Sequence, residues 1–274
     1  MAYQADHGTI RTFCCTNLRT RHHVGFKLFM QLESIGIVGH GHFGQFVETL
    51  AKRFLPEVEV WIFSRRATVD GARFFSLEAV AECDVVVLCG GIAEYKAQLA
   101  SVLPHLGPET IVVDVATVKK HTTELFAVQL SDRPYLCCHP MFGAESYKKT
   151  NEDVSGYRIV VTKSTLPSKQ YEAIKNTVTR LGFLVIEMTA DQHDKLLAET
   201  LFMTHYIGQV MQRAGFERTD IDTVSFQSLM NAVESVAQDE QLFRDVYQFN
   251  PYCQAAAERF HGAQELVWQS LPKT

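Results

Sequence analysis

No run of apolar residues in the 274-residue chain reaches the ~18 that a membrane-crossing helix needs, so the sequence predicts no membrane span. Positive charge is also short. Lys and Arg number 26 against 31 Asp and Glu, a net of -5, which argues against the basic field of a nucleic-acid-binding surface. Cysteine is present but not patterned. The seven cysteines are odd in number, Cys14-Cys15 and Cys137-Cys138 are adjacent, and no CxxC occurs, which excludes a disulfide framework or a zinc knuckle. Reduced thiols in a cytoplasmic protein are the expectation. There is no HExxH, no Cys/His cluster and no paired-carboxylate spacing, so no metal is expected. Internal repeats and low-complexity tracts are absent too.

Residues 1–33 differ from the rest. Arg11, Arg19, Arg21 and Lys27 face only Asp6 and Glu33, without the apolar core of a secretory signal. The stretch reads as a flexible extension, with Met30 as an alternative first residue. From Ser34 onward short apolar runs alternate with helical spacing. Ser34–Val38, Val58–Phe63, Val85–Cys89, Ile111–Val113 and Tyr135–Cys138 read as buried strands, and Phe43, Val47, Leu50 and Phe54 mark a helix. That alternation predicts an α/β fold, a Rossmann-type parallel sheet, over residues 34–188. Arg158–Val161 and Phe183–Met188 extend one edge. From residue 189 to 274 the spacing is helical only. Thr189 and Gln192 form a capping box, and Leu197, Leu201, Thr204, Gly208 and Met211 share one face of a first long helix ended by Gly215. Three more helices follow, centred on Phe226–Val236, Leu242–Phe249 and Tyr252–Val267, the last opened by Asn250-Pro251 as cap and first turn. Helices this apolar in so short a domain predict a helical dimerisation domain and a homodimer.

The chemistry-bearing residues gather at the strand ends. Gly39-His40-Gly41-His42-Phe43-Gly44 is GxGxxG between a strand and a helix, the context a dinucleotide pyrophosphate requires. Cys89-Gly90, at the end of the third strand, belongs to the same cofactor side. The second strand ends in Phe63-Ser64-Arg65-Arg66. A carboxylate there would bind the ribose of NAD, whereas Ser64, Arg65 and Arg66 suit the extra phosphate of NADP; a solvated basic loop is the alternative. His139, in His139-Pro140-Met141-Phe142-Gly143, follows a strand at the ligand-binding end of the sheet, as a proton acceptor or as a packing residue. Thr117 and Lys119 follow the preceding strand. They would bridge cofactor and substrate and attract a carboxylate, or else form a helix cap with a surface lysine. His205 lies mid-helix among apolar neighbours, as a satisfied core histidine does, and His193-Asp194 reads as capping rather than catalysis.

In order and spacing, the Gly39–Gly44 fingerprint, the Asp114–Lys119 segment and the His139–Gly143 run resemble the prephenate and arogenate dehydrogenase family of tyrosine biosynthesis. So do the segments Glu187–Asp194, Phe202–Gly208 and Asp239–Asn250, and the likeness to the plant-type arogenate dehydrogenases is greatest. The resemblance covers roughly residues 34 to 265. It implies NADP-dependent oxidative decarboxylation of a small cyclohexadienol, arogenate or prephenate. By this analogy His139 draws off the ring hydroxyl proton, Thr117 steadies it, and Lys119 and His205 touch the substrate. One departure bears on the substrate. Many bacterial prephenate-using relatives carry an arginine in the second helix of the helical domain. Phe226–Gln238 here has none, but carries Gln227, Asn231 and Glu234. Gln227 and Glu234 suit the ammonium of arogenate. Two other readings stand beside this one: a different NADP reductase with a helical dimer domain, for which Lys195 is the available lysine, and an NADP-responsive sensor without catalysis.

Overall fold

In the computed structural model, the described residues are 32–237 and 239–272. The expected flexible extension and alternative start at Met30 lie outside them, apart from its last two residues. The chain from Leu32 onward forms one compact unit.

Valine-rich runs with little room for polar side chains make the sheet. Its seven strands are β1 (Ser34–Val38), β2 (Glu59–Phe63), β3 (Val85–Leu88), β4 (Ile111–Asp114), β5 (Tyr135–Pro140), β6 (Arg158–Ser164) and β7 (Leu184–Glu187), in the order β2-β1-β3-β4-β5-β6-β7. The first five are mutually parallel, β6 runs antiparallel to β5, and β7 is parallel to β6. Both faces are covered by helices, so strands such as β3 (Val-Val-Val-Leu) are apolar throughout. The chain places β2 on one side of β1 and β3 on the other. This reversal opens a crevice above the carboxyl ends of β1 and β3, the position at which open α/β sheets bind ligands.

Helix α1 (His42–Phe54) follows β1 and α2 (Leu77–Ala81) follows β2; a 3-10 turn (Ile92–Glu94) and α3 (Tyr95–Val102) follow β3. Helix α4 (Lys119–Gln129) follows β4, α5 (Ala144–Lys149) follows β5, and α6 (Ser168–Arg180) joins β6 to β7. After β7 the chain is helical: α7 (Ala190–Glu199), α8 (Leu201–Arg213), α9 (Val224–Ser235), α10 (Glu240–Phe249) and α11 (Cys253–Ser270). One apolar cluster runs through both parts. It joins Val86 and Val112 of the sheet to Leu197, Phe202, Val246 and Cys253 of the helices. Phe202 stacks on Phe243 with centroids 5.5 Å apart.

Three local expectations change. The first long helix of the helical part is two helices, because Thr200 breaks it with φ -116° and ψ -85° and donates its hydroxyl to the Leu196 carbonyl at 2.7 Å. Second, β5 continues through His139 and Pro140, since β6 pairs with both, so His139 stands inside the strand end rather than after it. Third, Pro251 precedes α11 rather than opening it; Asn250 Oδ1 accepts from the Tyr252 amide in a turn, and the helix begins at Cys253. The Thr189–Gln192 capping box and the left-handed Gly215 (φ +73°) after α8 are as expected.

Candidate active site

The turn after β1 shows why the glycine spacing matters. Gly39 has φ +100°, a left-handed conformation in which a side chain is strained, and its amide donates to the Phe63 carbonyl at the end of β2 at 2.9 Å. A Cβ on Gly44 would lie 2.1 Å from the Gly39 carbonyl oxygen, so only glycine lets α1 pack this closely under the turn. A Cβ on Gly41 would meet nothing within 4 Å. The helix starts at His42 without a side-chain cap, which leaves its first amides as donors at the positive end of a 13-residue helix. Open space above bare helix amides fits a dinucleotide pyrophosphate. Cys89 and Gly90 close the turn from below: a Cβ on Gly39 would sit 3.1 Å from the Cys89 carbonyl.

The side chains of the motif serve the scaffold. His40 Nε2 lies 2.9 Å from Glu48 and Phe43 joins the apolar packing, while His42 is exposed. Burial pushes the Glu48 carboxyl up, but hydrogen bonds from Arg73, Lys52 and His40 outweigh it and hold it at about 2. At the tip of β2, Ser64 Oγ accepts from the Arg66 amide at 3.3 Å, and Arg65 pairs with Glu94 of the 3-10 turn at 2.8 Å. Arg66 is exposed and makes no ion pair among the described residues.

His139 is buried at the carboxyl end of β5. Its Nδ1 lies 2.9 Å from Nε2 of His193, and Nδ1 of His193 lies 2.7 Å from Asp194 Oδ1. An ionised Asp194 only accepts, so His193 donates from Nδ1, its Nε2 accepts, and His139 donates from Nδ1. The lone pair of His139 is thereby placed on Nε2. Burial, then the neighbouring His193 and Lys119, hold the His139 imidazole well below the usual histidine range, so it is neutral near pH 7. Asp194 is fixed in turn: its two carboxylate oxygens accept from the amides of Lys119 and Lys120 at 2.9 and 2.8 Å, and its carbonyl accepts from Asn250 Nδ2. It caps α4, across from its own helix.

Lys119 does not occupy the place expected of it. Its side chain is fully buried, and Nζ donates to Asp114 Oδ2 and to the Cys138 carbonyl, each at 2.6 Å. The carboxylate that attracts it belongs to the protein. Asp114 also accepts from Thr122 Oγ1 at 2.6 Å and from the Ala116 amide at 2.8 Å. Thr117 is half-buried in the turn between β4 and α4, and its hydroxyl makes no hydrogen bond among the described residues.

His205, Gln227 and Glu234 share no hydrogen bond with this network. His205 is buried in α8, but its Nδ1 has no partner among the described residues, unlike a satisfied core histidine. Gln227 is exposed on α9 and donates to the Asp222 carbonyl. Glu234 is exposed on the same helix and accepts two bonds from Arg218, at 2.6 and 2.9 Å, while Arg218 also reaches Asn231 at 2.8 Å.

Comparison with known proteins places this geometry in a lineage. Residues 65–186 match the family model "Prephenate dehydrogenase, nucleotide-binding domain", and residues 210–274 match "TYRAAT1-like, C-terminal domain". Arogenate dehydrogenase 2, chloroplastic, of Arabidopsis thaliana is 31% identical in an alignment 251 residues long that covers 86% of this chain and 69% of that protein. The chain belongs to the prephenate and arogenate dehydrogenase family. Arogenate dehydrogenase 1, chloroplastic, of the same plant is also 31% identical over 86% of the chain, but the match spans only 39% of that longer protein. In fold, the family member from Aquifex aeolicus, a prephenate dehydrogenase crystallised with hydroxyphenyl propionate and NAD+, superposes with a TM-score of 0.67 at 16% identity, covering 86% of this chain and 90% of that one.

His193, Asp194 and Asp114 are the members of the site that sequence reasoning missed. A His-Asp pair in the first turn of a capped helix looks local. Its partners are 54 and 75 residues away in sequence, and only the packing of α7 on α4 and β6 brings them together.

Proposed function

We propose that the protein oxidises and decarboxylates arogenate to tyrosine with NADP, through His139 as the proton acceptor. One observation carries the reading: a buried, neutral histidine with its Nε2 lone pair held outward by the His193–Asp194 chain, at the carboxyl end of a sheet that ends in a dinucleotide-type glycine turn. A dinucleotide held at that turn by its pyrophosphate would supply, in its nicotinamide, the hydride acceptor. His139 Nε2 takes the ring hydroxyl proton as the hydroxyl-bearing carbon gives up hydride. The ring carboxylate leaves as carbon dioxide, its bonding pair completes the aromatic ring, and the proton returns from His139 to the phenol oxygen. Thr117, with a hydroxyl free for an incoming partner, steadies that oxygen. Aromatisation supplies the driving force, and the protein supplies alignment and a place for the proton.

For NADP over NAD the support is the tip of β2, which offers Ser64, Arg65 and Arg66 and no carboxylate of its own. For arogenate over prephenate the support is that α9 carries no arginine and offers Gln227, Asn231 and Glu234, although Arg218 from outside the helix already pairs with the last two. A homodimer through the helical part is supported by α11. Residues 261–270 are exposed throughout, and Trp268 is 75% exposed there, an apolar surface that calls for a partner. Among the described residues no helix is long and apolar enough to cross a membrane. The five cysteines among them are free and buried, which suits the reducing cytoplasm; the two plant relatives are named as chloroplastic.

The test is NADPH formation by the purified protein with arogenate or prephenate, each with NADP or NAD. Arogenate with NADP should give the highest kcat/KM. An equal or higher value with prephenate overturns the substrate preference, and no turnover of either overturns the reading.

A further inference from the structure

Lysine is rarely buried without a task, and Lys119 has no exposed surface at all. Its ammonium makes two short contacts. One goes to Asp114, on the neighbouring strand β4, and the other to the carbonyl of Cys138. Cys138 is the residue immediately before His139, and the register of β5 against β6 shifts between Cys137 and Cys138. A bulge of this kind leaves a backbone group outside the ladder and re-aims the residues that follow. Asp114 is held at both oxygens: Thr122 Oγ1 donates to the same Oδ2 that Lys119 holds, and the Ala116 amide donates to Oδ1, so the carboxylate cannot swing away.

We propose that Lys119 is a positioning residue for His139: clamped by Asp114, its ammonium holds the Cys138 carbonyl at the bulge and so sets where the next side chain points. The inference rests on the reading of His139 as the proton acceptor. It replaces the notion of Lys119 as a grip for a substrate carboxylate, since the charge of its Nζ is already paired with Asp114 and two of its three donors are taken up inside the protein. The same ammonium opposes protonation of His139. The other titratable group facing the imidazole is His193 from α7, with Asp194 behind it. Removing Lys119 takes away the nearby positive charge, so the His139 pKa should rise.

Two variants test this, Lys119→Met and the charge-neutral Lys119→Met/Asp114→Asn, the second because a buried carboxylate left alone destabilises a fold whereas loss of both charges need not. Imidazole nitrogen NMR of the NADP-loaded protein follows His139 without any turnover, which separates this test from the substrate assignment. In Lys119→Met the His139 titration, and the acid limb of kcat/KM, should move up by about one pH unit. In both variants kcat should fall about tenfold to a hundredfold, as misplacement of a reacting group does, with KM for arogenate within threefold and NADP affinity retained. A large rise in KM at unchanged kcat would make Lys119 a substrate contact and overturn the proposal. So would an unmoved His139 titration, or a double variant that melts low and loses NADP binding, either of which would mark the pair as structural only.

Discussion

Nδ1 of His139 and Nε2 of His193 are 2.9 Å apart, with Asp194 2.7 Å beyond on the far side of the second ring. Three residues from two elements thus form one line of donors and acceptors that ends at a free lone pair. If that line sets the tautomer, His193→Leu keeps the buried volume but lets His139 turn its proton outward. Turnover should fall on the order of a hundredfold, while NADP affinity and melting temperature change little. A variant with near wild-type kcat would show that His193 only fills space.

Acidification should weaken both activity and fold, with the same sign. The folded His139 has a depressed pKa, so the unfolded chain binds a proton as pH drops through the ordinary value of about 6.5 while the folded chain does not. Stability is therefore full above that value and declines below it. His205, lowered by burial with Asp239 opposing, adds a loss of the same sign. Each contributes up to about 1.4 kcal/mol per pH unit. Calorimetry from pH 7.5 down to about 5.5 should show a falling Tm, with a shallower slope in His205→Asn; parallel slopes would remove His205 from the account.

Two glycines of the same turn should respond in opposite ways. In Gly44→Ala the new methyl would meet the Gly39 carbonyl at 2.1 Å, so the variant should melt low or fail to fold. Gly41→Ala has open space around the new methyl. It should fold with an unchanged Tm and yet bind NADP weakly, because the methyl stands where the pyrophosphate approaches. Normal NADP affinity in Gly41→Ala would place the cofactor elsewhere.

The tip of β2 proposed to bind the extra phosphate carries a built-in competitor. Arg65 is paired with Glu94 at 2.8 Å, both largely exposed. Glu94→Gln should tighten NADP binding by up to about 1 kcal/mol and leave NAD unchanged. Arg65→Ala should weaken NADP binding by about 1.5–3 kcal/mol, again sparing NAD. Equal effects on both cofactors would show that the tip does not touch the extra phosphate.

Much of this was legible before any coordinates. Apolar period and glycine punctuation place β1 to β7 and the crevice above β1 and β3, because buried strands leave no room for polar residues. What the pattern does not carry is direction. Lys119 reads as a surface lysine after a strand, and nothing local reveals that Asp114, only five residues earlier, accepts its hydrogen bond in the interior. Thr200 lies within a helical pattern, yet its backbone leaves the helical angles and divides α7 from α8. Gln227 and Glu234 satisfy helical spacing, which cannot say that their face is exposed and that Arg218 reaches back to the second of them.

The central claim is tested most directly by product stoichiometry in a single reaction vessel, with arogenate and NADP supplied to the wild-type protein and to His139→Asn. The wild type should release NADPH, tyrosine and carbon dioxide in equal amounts, and His139→Asn, still folded and still binding NADP, should be slower by about a hundred- to ten-thousand-fold. NADPH formed without tyrosine and carbon dioxide, or a His139→Asn variant that keeps pace with the wild type, would contradict it.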